Sequence, residues 1–111
     1  MHVADLDGTS LPDGNKWRAT MTITIVEANL APVSGADIYL TLSGGEAGPA
    51  TCVTDDNGQC SLTSDKIKSD QASVTFTVDN ITHAMYTYQA ADNTDPDGDS
   101  DGTTLTVNQP S

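Results

Sequence analysis

Apolar and polar residues alternate strictly along "ATMTITIVEA" (19–28), with Met21, Ile23 and Ile25 on one side and Thr20, Thr22 and Thr24 on the other. Side chains of a strand point to opposite faces in turn, so a period of two predicts a half-buried β-strand. "ADIYLTLSG" (36–44) repeats the pattern with Ile38, Leu40 and Leu42 inward, and "ASVTFTVDN" (72–80) with Val74, Phe76 and Val78 inward. "HAMYTYQ" (83–89) and "TTLTV" (103–107) also read as strands, and "HVADL" (2–6) as a less regular first one. Turn-forming clusters punctuate these runs at "LPDGN" (11–15), "EANLAPVSG" (27–35), "TDDNG" (54–58) and the acidic stretch 92–102. No segment keeps a 3.6-residue apolar period over three turns. The pattern predicts an all-β antiparallel sandwich of about seven strands.

Length and composition narrow the picture. A chain of 111 residues suffices for one core, so residues 1–111 are expected to form a single domain. Sixteen acidic residues against four basic ones give a formal net charge of −12, which disfavours nucleic acid and anionic membrane surfaces as partners. All but two of the acids are aspartates, residues of turns and cation sites more than of helices. No stretch of about 18 apolar residues is present to span a bilayer. "MHVADLDG" lacks the basic and apolar regions of a signal peptide. With strand-like sequence from the first residues and an ending on "NQPS", the chain is expected to be a module of a longer protein.

The run "ATMTITIVEANLAPVSGADIYLTLSG", then "TCVTDDNGQCSLTS", then "ASVTFTVDNITHAMYTY" resembles the bacterial immunoglobulin-like domains of extracellular proteins, the invasin and intimin type. The likeness spans roughly residues 17–107. It rests on an alternating strand, a polar turn ending in Pro32-Val33-Ser34-Gly35-Ala36, a second strand, and the turn Asp56-Asn57-Gly58. It implies a non-catalytic spacer or adhesion unit of a surface or secreted multi-domain protein. Expected partners are then neighbouring domains of that protein, or a glycan or cell-surface protein, with the isolated domain a monomer. The acidic stretch, "DLDG" near the start and the cysteine pair depart from the generic pattern.

Cys52 and Cys60 flank "VTDDNGQ". A three-residue hairpin loop at Asp55, Asp56 and Asn57 would bring the two cysteines face to face on paired strands, within bridging distance. A four-residue loop would put them out of register. A disulfide implies an oxidising compartment, hence an extracellular or cell-surface location. A reduced pair or a metal site are the alternatives, although two cysteines and two distant histidines lack zinc-site spacing.

"DPDGDSDGT" (95–103) sets Asp95, Asp97, Asp99 and Asp101 at every second position with no basic residue nearby. Two readings are open: a solvated acidic loop, or a loop curled around calcium, which takes six to eight hard oxygens. Asp97, Asp99, Asp101 and Gly102 satisfy D-x-D-x-D-G, and Asn93, Asp95, Asp97 and Gly98 satisfy its asparagine-tolerant form in an overlapping register. An EF-hand would place glutamate at the twelfth position, where Asn108 stands, so the site is of another kind. Asp5 and Asp7 repeat the spacing and are expected to complete the shell as a clamp between the two ends of the chain.

No catalytic motif is present: G-x-S-x-G, H-E-x-x-H, the P-loop and G-x-G-x-x-G are all missing from the sequence. Tyr86 and Tyr88 share one side of their predicted strand. Exposed, they would offer a short platform for a sugar; buried with Trp17, they would belong to the core.

Overall fold

The computed structural model describes residues 1–44, 47–89, 93 and 103–110. Among the described residues eight strands follow in chain order: β1 (His2–Asp13), β2 (Lys16–Val26), β3 (Asp37–Gly44), β4 (Gly48–Val53), β5 (Gln59–Thr63), β6 (Ile67–Lys68), β7 (Ser73–Thr82) and β8 (Thr104–Asn108). They form two antiparallel sheets. One has the order β1-β2-β5 with β6 also on β2, the other β4-β3-β7-β8. Consecutive strand pairs alternate between the sheets, as in immunoglobulin-like sandwiches.

The predicted faces hold. Met21, Ile23 and Ile25 from one sheet meet Ile38, Leu40, Val74, Phe76 and Leu105 from the other, each at most 2% exposed. Removing such side chains from water contributes about 1.5–3 kcal/mol apiece. Trp17 joins this core, and its indole N–H donates to the carbonyl of Gln71 at 3.2 Å. On the outer face of the first sheet, Thr20 and Thr22 exchange hydroxyl hydrogen bonds with Thr63 and Ser61.

β1 is far longer than the five residues its alternation suggests. Val3 and Leu6 both point inward because a bulge at Ala4 lies between the pairs Val3↔Ile25 and Asp5↔Thr24 and resets the alternation. From there β1 pairs with β2 down to Asp13↔Lys16, closed by a two-residue turn at Gly14 and Asn15. A Cβ on Gly8 would come within 2.6 Å of Val107, so this glycine lets β1 settle onto β8 of the opposite sheet.

Two local expectations are corrected. Cys52 and Cys60 are joined by a disulfide, but their strands do not form a hairpin: β4 pairs with β3 and β5 with β2. The turn between them is a corner from one sheet to the other, and the disulfide ties the sheets along one edge of the sandwich. Residues 83–89 are irregular, not a strand, although their side chains still alternate between half-buried and exposed over 85–89. Among the described residues no helix is long and apolar enough to cross a membrane.

Candidate functional site

Antiparallel pairing sends the chain into the sandwich at one end and out at the other. His2 lies opposite Val26, at the end where β2 leaves its sheet, whereas Asn108 pairs with Ser73 and Gln109 bonds to Ala72 at the far end. Twelve residues of β1 span about 40 Å, close to the full 44 Å length of the molecule. The connections 27–36 and 54–58 and the described residues 83–89, 93 and 103 gather at the N-terminal pole.

Asn93 is the hub of this pole. Its side-chain carbonyl accepts from the Val3 backbone N–H at 2.8 Å, and its amide group donates to the Tyr88 hydroxyl at 2.6 Å and to Thr103 Oγ1 at 3.0 Å. The Met1 ammonium donates to the Thr87 carbonyl and the Gln89 N–H to the Met1 carbonyl, both at 2.8 Å. The start of β1, an otherwise open edge, is thereby covered by Thr87, Gln89 and Asn93.

Asn93 and Thr103, which flank the acidic stretch in sequence, are bonded to one another, and Asn93 is bonded to β1 through Val3. Asp5 and Asp7 sit on β1 opposite Thr24 and Thr22, half-buried on the outward side, and Asp5 Oδ1 accepts from the Leu6 N–H at 3.1 Å. Asp95, Asp97, Asp99 and Asp101 lie outside the described residues. Among the described residues no three histidine, cysteine, aspartate or glutamate side chains come together as a metal-binding group. The Asn93 side-chain oxygen is engaged by the Val3 N–H.

Tyr86 and Tyr88 are half-buried and pack against the core. The Tyr88 hydroxyl is taken up by Asn93. Tyr86 stacks at a tilt on His83, ring centres 5.0 Å apart, and the Glu27 carboxylate hydrogen-bonded to its hydroxyl pushes the phenol pKa up. His83 accepts the Met85 N–H at Nδ1, which leaves its proton on Nε2 to be donated to the Ser34 carbonyl at 2.9 Å.

The two motif pieces that carried the family resemblance touch one another. Thr54, 5% exposed, donates to the Val33 carbonyl at 2.7 Å and accepts from the Ala36 N–H at 2.9 Å, pinning the Pro32–Ala36 loop. Gly58 accepts from the Ile25 N–H at 2.7 Å, and a Cβ there would stand 2.5 Å from the Ile25 carbonyl oxygen. The clasp of Val3, Asn93 and Thr103 was not foreseen. Its members are remote in sequence, and asparagine carries no local signal for a partner ninety residues away.

No protein-family model matches the chain, and no curated protein or solved structure matches it significantly.

Proposed function

We propose that the chain is a non-catalytic extracellular Ig-like module, a spacer or adhesion unit of a bacterial surface or secreted protein, stiffened by calcium at its Asp-rich loop. The observation that carries this reading is the entry and exit of the chain at opposite ends of a 44 Å sandwich. That geometry lets a module transmit tension and set distance. The disulfide between the sheets supports an oxidising location. Packing of Tyr86 and Tyr88 against the core favours the spacer over a glycan platform.

Asp5 and Asp7 would supply carboxylates on β1 to a calcium ion held by the loop aspartates. The ion's contribution is charge neutralisation, and the chain's is to bring β1 to the base of the loop through Asn93. Thermal melts of the disulfide-intact protein in calcium and in chelator test it. With free calcium near a hundred times its dissociation constant, preferential binding to the folded state stabilises by about 2.7 kcal/mol, a rise in melting temperature of roughly 10 °C for this size. Identical melts would remove calcium from the reading.

A further inference from the structure

The four lysines and arginines of the chain are gathered at the C-terminal pole. Lys16 lies opposite Lys68 where β2 meets β6. Arg18 and Lys66 both approach the Asp13 carboxylate, at 2.8 and 3.9 Å. Lys16 and Lys68, both exposed, line an open cleft with Asn15, Ser69 and Asp70. The N-terminal pole carries the exposed carboxylates of Asp37, Asp55 and Asp56 and the half-buried Glu27, with no lysine or arginine near them. On a chain of net charge −12, positive charge is available to a partner at one end only.

We propose that the Lys16–Lys68 cleft is a docking site for the acidic pole of a second copy of this chain, its Asp37–Asp56 corner, giving a head-to-tail contact. Two molecules of charge −12 repel overall, so the range of the field decides the outcome. The Debye length is about 8 Å at 0.15 M salt, a small fraction of the 44 Å that separates the poles. At that ionic strength each pole acts through its own local charge, and opposite signs meet. At 0.01 M the screening length is about 30 Å and the whole-molecule repulsion is felt; at 1 M it is about 3 Å and the attraction fades. The contact therefore has an optimum in salt, unlike hydrophobic association or plain charge repulsion. Because cleft and corner are different surfaces, it is heterologous, and repetition yields open chains rather than closed dimers. Exposed ion pairs are individually weak, so the contact forms only at high protein concentration. This inference is independent of calcium.

The test is rotational correlation time by NMR relaxation at about 1 mM protein, in chelator, at 0.01, 0.15 and 1 M salt. The expected result is a correlation time about half again the monomer value or more at 0.15 M, with smaller values at both other salts. Lys16→Glu with Lys68→Glu should return the protein to the monomer value, as should Asp37→Lys with Asp56→Lys. An equimolar mixture of the two double variants should restore the slow tumbling, since each supplies the end the other lacks, and this also shows that both fold. A monomer value at all three salts, or slow tumbling that survives charge reversal, would overturn the proposal.

Discussion

At the C-terminal pole β1 turns into β2 through two residues, and the backbone ladder continues to the last pair, Asp13↔Lys16. At the N-terminal pole the connection 27–36 and the described residues 83–89 and 93 lie outside the ladder, and side chains take over: Thr54 holds Val33 and Ala36, His83 holds Ser34, Asn93 holds Val3. A short turn inherits its conformation from strand register. A long loop carries backbone groups with no strand to pair with, so its shape depends on individual side chains that satisfy them. The N-terminal pole should accordingly be the more sensitive to substitution, position for position.

Glycine gives the largest expected contrast. Gly58 and Gly14 both have positive φ, 75° and 66°. A Cβ at Gly58 would collide with the Ile25 carbonyl, whereas none of the surrounding atoms lies within 4 Å of one at Gly14. Gly14→Ala should cost about 1 kcal/mol, the backbone penalty of a left-handed alanine. Gly58→Ala adds a backbone clash in a closed corner and should cost about 3 kcal/mol or more. Chemical denaturation of both variants measures the difference. Equal losses would mean that the corner relaxes freely and that the N-terminal pole is no more constrained than the other.

A smaller effect is expected at Asn93. Replacing it by alanine leaves the Val3 N–H without its acceptor and frees the Tyr88 hydroxyl, at a cost of about 1–2 kcal/mol. Global stability alone would not locate the damage, but amide exchange does. The Val3 amide should lose protection first while Ile23 and Phe76 keep theirs, because local opening of an edge strand needs far less than global unfolding. Uniform loss of protection would show that the clasp is part of the cooperative core.

How much of this was legible in the sequence follows from which interactions are local. β2, β3 and β7 stand out because each buries one face along its whole length, and the alternation of Ile23, Leu40 or Phe76 reports that directly. β1 was cut short at Leu6 because its later residues, among them Pro12 and the exposed Leu11, do not alternate in polarity; its length is set by pairing with β2. β4 was missed for a related reason: Gly48–Val53 buries little, and its place is fixed by β3 and the disulfide. Residues 83–89 mislead in the opposite sense. Tyr86 and Tyr88 pack inward in alternation with Met85 and Thr87, so side-chain burial has the period of a strand while the backbone lacks a ladder. The cysteine pair was readable from spacing, but spacing does not distinguish a hairpin from a corner between sheets. The polarity of charge along the molecule was out of reach too, since Lys16 and Lys68 meet only once β6 is laid against β2.

The smallest expected effect belongs to the C-terminal pole and sharpens the contrast from that side. Arg18, hydrogen-bonded to the Asp13 carboxylate, holds its pKa below the ordinary 3.8, with Lys66 assisting through its charge. Asp13 is more basic in the unfolded chain than in the folded one, so the unfolded state binds the proton more readily. The resulting stabilisation is fully present above about pH 4, the unfolded value, and is lost as pH falls through the lower folded value. Both partners are more than a third solvent-exposed, 40% for Arg18 and 36% for Asp13, and an exposed pair is screened. Asp13→Asn should therefore leave the melting temperature at pH 7 nearly unchanged and flatten the stability curve slightly below pH 4. A side-chain carboxyl NMR titration reads the depressed value directly. If Asp13 titrates at 3.8 or above, the ion pair is not formed in solution and the turn rests on strand register alone.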